Sequence, residues 1–171
     1  MNAMQIRRLE SADAPAYRAL RLRALREYPE AFTSSYEEDA VQPTAFAAQR
    51  LASPDFAAWG AFQGEELYGI VGLERERRSK NRHKAAVVGM YVAPEAARQG
   101  AGRALLQALL AHARAAGIES LVLTVTEGNA AAQQLYAAAG FRSIGIEPDA
   151  IRVAGRSWAK NHMHLAPRQA P

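Results

Sequence analysis

Two glycines, Gly100 and Gly102, stand between an apolar segment ending at Val92 and a leucine-rich one beginning near Ala104, with Arg98 and Arg103 on either side. A glycine lets the backbone approach a ligand that a Cβ would hold away. The first turn of a helix leaves several N–H groups unpaired, and its dipole adds positive potential there. Main-chain amides around residues 98 to 103 would therefore cradle an anion, a phosphate above all, with the arginines at the rim. Two familiar phosphate loops do not fit. The nucleoside-triphosphate loop needs lysine and then Ser or Thr after its last glycine, where Arg103-Ala104 follows, and the dinucleotide fingerprint wants a small residue at Leu105. His162 and His164 have a spacing that metals can use, but no third ligand is in sight, so no metal is expected.

The elements that must position this turn can be read from the hydrophobic pattern. Met4–Leu9 reads as a first strand. Ser11 is expected to cap a helix in which Tyr17, Leu20, Ala24, Leu25 and Tyr28 share a face, while the arginines at 18, 23 and 26 form a solvated one. Glu30–Asp39 reads as a polar loop with two aromatics, and Thr44 to about Leu51 as a short helix. Ala57–Phe62 and Leu67–Glu76 flank a hairpin turn, "QGEE". Arg77–Lys84 is a basic, solvated loop. Ala85–Val92 is nearly all apolar, as in a strand buried on both faces.

From Gly102 to about Ala116, Leu105, Leu106, Leu109, Leu110 and Ala113 form one helical stripe, and "SLVLTVT" (Ser120–Thr126) is a buried strand. Strand, helix and strand make a βαβ unit, with parallel strands and a right-handed crossover expected. Asn129 caps a last helix that Gly140 stops. Phe141–Ile146 and Ala159–Leu165 are expected as final strands, joined by a loop holding Pro148 and Gly155, and the tail from residue 166 to 171 is expected to fray.

The chain has 171 residues, 49% apolar and 22% charged, which is the composition of one ordinary globular α/β domain. Its net charge of +4 suits a small anionic ligand better than a nucleic-acid partner. The chain contains no cysteine, which removes disulfides, thiolate metal sites and cysteine nucleophiles. The N-terminus lacks a signal-peptide core and no run is long enough to span a membrane, so a cytoplasmic location is expected.

Three stretches carry a resemblance to a known family. "GMYVAPEAARQGAGRALL" is similar to the strand-loop-helix signature of the GNAT superfamily, the acyl-coenzyme-A-dependent N-acyltransferases, written Q/R-x-x-G-x-G/A. "NAAAQQLYAAAGF" (Asn129–Phe141) resembles the pattern of its following helix, and "PEAFTSSYEE" a substrate-side loop of many bacterial members. The resemblance runs from the first strand to about Leu165. It implies a GNAT-like mixed sheet of about seven strands with helices on both faces, in the order β-α-α-β-β-β-α-β-α-β-β. Ala97 stands where the family has Gln or Arg, a missing side-chain contact for which Arg98 is placed to compensate. Ala159 and Lys160 stand where relatives with the same loop often carry acids.

The resemblance further implies acetyl-CoA as acetyl donor and a primary amine of a small molecule or peptide as acceptor, in a protein that can form a homodimer. It assigns pantetheine to the strand Met90-Tyr91-Val92, the diphosphate to Arg98, Gln99, Gly100, Ala101, Gly102 and Arg103, a cofactor contact to Asn129, and the proton for the leaving thiolate to Tyr136. Gly89 independently marks either simple packing room or a bulge or close approach in that strand, and a bulge can free a backbone N–H for the thioester oxygen. The amine must lose a proton, and Glu74, Glu76, Glu38 or a water chain can take it. Phe32 and Tyr36 either hold the acceptor or cover the core. The same cradle without the chemistry would make a non-catalytic acyl-CoA sensor.

Overall fold

In the segment Phe56–Gln63 every residue but the last is buried, and neighbours point into two different cores: Ala57, Trp59 and Ala61 into one, Phe56, Ala58 and Phe62 into the other. That period of two is what a strand covered on both faces requires. The computed structural model, which describes residues 3–167, builds a seven-stranded sheet around this strand.

The strands and helices follow in the order β1 (Met4–Arg8), α1 (Ala14–Glu27), α2 (Tyr36–Ala40), α3 (Thr44–Ala52), β2 (Phe56–Gln63), β3 (Glu66–Arg75), β4 (Lys84–Val92), α4 (Ala101–Ala115), β5 (Ser120–Thr126), α5 (Ala130–Ala138), β6 (Arg142–Val153) and β7 (Arg156–Leu165). Across the sheet they lie in the order β1-β2-β3-β4-β5-β7-β6. Only β4 and β5 are parallel, as expected of the βαβ unit; every other neighbouring pair is antiparallel. The leucine stripe of α4 fills one face together with Tyr136 of α5, while Tyr17, Leu20 and Ala24 of α1 and Leu51 of α3 fill the other. No helix among the described residues is long and apolar enough to cross a membrane.

Several local expectations are corrected. Ser11 does not cap α1: it opens a short 3-10 turn, and its Oγ donates to the Ala48 carbonyl. Glu10 is the N-cap of that turn, in a capping box with Asp13, whose Oδ2 accepts from the Glu10 amide while Arg7 grips the same carboxylate. Of the three arginines assigned to a solvated face of α1, Arg18 donates to the Ala40 and Gln42 carbonyls and Arg23 pairs with Glu27 and Glu95. Tyr28 leaves the buried face and is 41% exposed. The Glu30–Asp39 loop contains α2, because Ser35 and Glu38 form a reciprocal capping box. β4 is buried at alternate positions, not on both faces throughout.

The last hairpin differs most from its expected form. β6 and β7 run on to a tight turn at Ala154–Gly155, and Pro148 lies inside β6. β6 is an edge strand and its register shifts between Glu147 and Ile151, so the missing proline N–H costs no ladder bond. Asp149 closes the bulge by accepting from Arg152 and Ser157. Of the tail expected to fray, residues 168–171 lie outside the described ones.

Leu109 is completely buried between α4 and the sheet. Leu109→Ala leaves a cavity there and is expected to cost about 2–5 kcal/mol, read from the urea unfolding midpoint. A loss well below about 1 kcal/mol contradicts this packing of α4.

Candidate active site

A parallel pair needs both strands straight to stay paired along its length, and β4 is not straight. Its register with β3 passes from Gly72↔Val88 to Ile70↔Tyr91, which leaves Gly89 and Met90 without ladder partners. This is the bulge that Gly89 suggested, and Gly89 adopts φ +62, a conformation other residues rarely take. On its other edge β4 pairs with β5 only at Lys84, Ala85 and Ala86. Beyond Ala86 the two strands part, and the main chain from Val87 to Val92 presents an edge with no strand beside it.

The parting opens a cleft of about 380 Å³. Gly89 and Met90 form one wall and Thr124, Thr126 and Asn129 the other. Asn129 caps α5, accepting from the Ala132 amide at 3.2 Å. Tyr136 reaches the cleft from α5 with its ring packed against Phe141 at 6.0 Å. Among the described residues its hydroxyl has no protein hydrogen-bond partner, nor is it a sealed buried atom, so it faces the cleft. Burial of the ring pushes the phenol up to about 12.

At the carboxyl end of β4 the chain turns through Arg98 at φ +60 and Gly100 at φ +78 into α4. Nothing lies within 4 Å of a Cβ built on Gly100, so the backbone conformation, not crowding, calls for glycine here. No side chain caps the 15-residue α4 and no acid stands in its first turn, so the amides of Ala101, Gly102 and Arg103 remain available to an external anion. A Cβ at Gly102 would meet Leu135 at 3.4 Å, an ordinary contact. The turn thus leaves main-chain donors uncapped at the start of α4. Arg98, Gln99 and Arg103 are exposed; Gln99 accepts from Gln63, and Arg103 lines an open groove between α4 and α5.

The structure does not gather every expected residue. Glu74 lines the cleft and pairs with Arg50 at 3.5 Å, while Glu76 accepts from Asn81. Glu38 is spent on the α2 cap, where the Ser35 amide and hydroxyl hold its carboxyl below the usual range. Phe32 reaches the cleft, whereas Tyr36 lies under Arg26 outside it, its hydroxyl accepting from that side chain at 2.6 Å. Met90 lines the cleft, and Tyr91 points into the α1-side core with its hydroxyl on Glu27. His162 and His164 are taken up by Glu147 and Ser120, and no cluster of potential metal ligands occurs among the described residues.

Two site residues, Arg21 and Thr33, were not singled out from the sequence, and Lys160 stood out only as a departure from the acids of relatives. Arg21, Thr33 and Lys160 all line the cleft. Burial pushes the Lys160 ammonium below its ordinary value, with Glu147 opposing the shift.

The parted parallel strands thus leave an open cleft with the Tyr136 phenol at its side, and the uncapped mouth of α4 follows β4 in the chain. Comparison with known proteins identifies the class. The acetyltransferase (GNAT) family matches residues 18–141. Mycothiol acetyltransferase from Thermobispora bispora is 33% identical over 136 residues, which is 75% of this chain and 43% of that protein; the chain thus spans under half the length of that relative. The N-alpha-acetyltransferase RimI of Mycobacterium tuberculosis is 34% identical over 69% of this chain and 72% of its own. Among solved structures, a GNAT acetyltransferase from Streptococcus pneumoniae superposes with a TM-score of 0.81 at 26% identity, covering 96% of this chain and 99% of that one. A protein from Salmonella typhimurium, solved with its cofactor acetyl-CoA, gives 0.81 at 22% identity over 99% of this chain and 96% of its own. The chain belongs to the acetyltransferase (GNAT) family. That family's model describes acetyltransferases.

The folded Tyr136 phenol keeps its proton to higher pH than the unfolded one, from 10.0 up to about 12. Its burial therefore stabilises the fold below pH 10 and that contribution is lost as the pH climbs toward 12. In NMR titrations of Cζ-labelled tyrosine, Tyr136→Phe is expected to remove a signal that ionises near the top of that window. Removal of one that ionises at the ordinary tyrosine value contradicts the buried placement.

Proposed function

We propose that residues 4–165 form one N-acetyltransferase domain that transfers acetyl directly from acetyl-CoA to a primary amine of a small molecule or peptide. The observation that carries this reading is the parting of β4 from β5 beside Gly89, with Tyr136 facing the gap. The name of the mycobacterial relative, an N-alpha-acetyltransferase, supports an amine acceptor.

When bound, acetyl-CoA supplies a thioester whose carbonyl carbon accepts the amine and whose sulfur leaves with the bonding electrons. The amides of Ala101, Gly102 and Arg103 hold the diphosphate, and Arg98 and Arg103 add charge around it. The unpaired edge of Met90, Tyr91 and Val92 takes pantetheine as an added strand. The Met90 N–H, freed by the bulge, meets the negative charge that develops on the carbonyl oxygen, a contribution of about 3 kcal/mol for one such donor. Glu74, directly or through water, takes the surplus proton of the amine nitrogen. Tyr136 gives its proton to the departing sulfur; its raised pKa keeps it protonated until then.

Thiol release from acetyl-CoA with a panel of amines tests this reading. Turnover is expected with at least one amine class, and Tyr136→Phe is expected to lower kcat about 100-fold with little change in the acetyl-CoA KM. Tight coenzyme A binding without turnover on any amine would make the protein a sensor and overturn the assignment. Gly102→Ala should leave the melting temperature unchanged or raised, since alanine suits a helix better by up to about 1 kcal/mol. It is nonetheless expected to weaken coenzyme A about tenfold by calorimetry, and unchanged affinity contradicts the cradle.

A further inference from the structure

The transfer described above needs a donor cradle, a carbonyl-reading amide, a base and an acid. It makes no use of the positive charge on the α1 side of the cleft. Lys160 on β7 is a buried lysine, 5% exposed, and its Nζ donates to the Thr33 hydroxyl at 2.6 Å. Among the described residues that is its one hydrogen bond, and no carboxylate comes within ion-pair distance. Its cross-strand neighbour Glu147 is taken up by His162 at 2.6 Å. The other cross-strand neighbour, Thr126, donates to the Glu30 carbonyl. Two ammonium protons of Lys160 are therefore left facing the cleft.

A second cation, Arg21, lines the same cleft. Arg21 of α1 pairs with Asp39 through Nε and donates through Nη2 to the Ser34 hydroxyl at 3.2 Å. Its Nη1 lies 3.4 Å from where a Cβ on Gly89 would stand, at the bulge itself. Thr33 and Ser34 are consecutive, so one short segment ties Lys160 and Arg21 to the same wall of the cleft. Asp39 balances Arg21 through Nε and leaves its Nη1 toward the bulge, while Glu74, the one acid in the cleft lining, is paired to Arg50, so no acid balances Lys160.

A buried ammonium with unsatisfied protons costs stability unless something completes it. An acceptor whose only charge is a cationic amine would be repelled from this wall. One that also carries an oxyanion would be drawn in by its acid and held with the amine toward the thioester. The same field lowers the pKa of the nearby amine, which favours the neutral form that attacks.

We propose that Lys160 and Arg21 form an oxyanion site in the acceptor half of the cleft, so that the enzyme selects amines carrying their own carboxylate or phosphate-type group. This rests on the transferase reading above and specifies its acceptor. The bond changes are unaltered: nitrogen bonds to the acetyl carbon, the carbon–sulfur bond breaks with its electrons going to sulfur, one proton leaves the nitrogen for Glu74 and one reaches sulfur from Tyr136. The oxyanion takes part in none of them.

The test compares an α-amino acid, its carboxamide, its phosphonate analogue and an unsubstituted diamine as acceptors in thiol-release assays. The wild-type enzyme is expected to use the carboxylate or the phosphonate with a kcat/KM at least about tenfold above the carboxamide, since a site built to bind a group rejects the analogue that lacks it. Which of the two anions is preferred distinguishes the source of the oxyanion. Lys160→Met, a replacement of similar size, is expected to erase the preference by raising KM for the acid, and Lys160→Arg to retain most of it. Equal or better use of the carboxamide or the diamine overturns the proposal, as does a preference that survives Lys160→Met in a folded protein. Should no amine turn over, the transferase reading fails by itself. The oxyanion site is then scored by calorimetry of an N-acetyl amino acid against the coenzyme A complex: binding that Lys160→Met abolishes supports it, and no binding or equal binding overturns it.

Discussion

The structure turns on the failure of one pair of strands to stay together. β4 and β5 are the only parallel neighbours in the sheet, and their hydrogen bonding stops at Ala86 and Val122. The kink at Gly89 turns β4 away from the line β5 follows. Each strand is then kept on its own course by packing: the Tyr91 ring goes into the α1-side core, while Leu123 and Val125 go into the α4-side core. Had the two strands remained paired to their ends, the sheet would be continuous and there would be no cleft. A sheet that could close into a regular core instead leaves main-chain groups unpaired in its middle, and an extended ligand is the natural group to satisfy them.

The two faces of the sheet divide the work on either side of that opening. On the α4 side, the turn through Arg98 and Gly100 leads into the uncapped end of α4, and α5 brings Tyr136 to the gap on a ring that is itself core. On the α1 side, the segment after α1 is stapled down by Thr126 to the Glu30 carbonyl and by Lys160 to Thr33. Those staples bring Phe32, Thr33 and Ser34 over the cleft from a stretch that has little regular structure of its own. The two layers thus border the opening from opposite sides of the sheet.

Much of this was legible in the chain. The stripe Leu105, Leu106, Leu109, Leu110 predicts α4 and its buried face, and the glycines before it predict the exposed amides. Gly89 in an apolar strand predicts the bulge, because a glycine there gives up packing for conformation. Other features escaped because they depend on partners far away in sequence. Lys160 is 127 positions from the hydroxyl that holds it, and no local pattern links them. Ser11 is not the first cap because Glu10 and Asp13 form the capping box there, and Arg7 grips the same Asp13 carboxylate. The α2 turn could have been found: Ser35 and Glu38 have capping-box spacing, but a helix of five residues carries too little hydrophobic period to announce itself. Pro148 read as a loop residue because edge-strand status is a property of the sheet and not of the segment.

Titration of the amide-labelled protein with coenzyme A, followed residue by residue by NMR, addresses the central relation most directly. The account predicts large shifts for the amides of Ala101, Gly102 and Arg103 at the helix mouth and for those of Gly89 and Met90 at the bulge, with the far hairpin of β6 and β7 little changed. Shifts confined to the basic loop between Arg77 and Lys84, or their absence at both the helix mouth and the bulge, would contradict it.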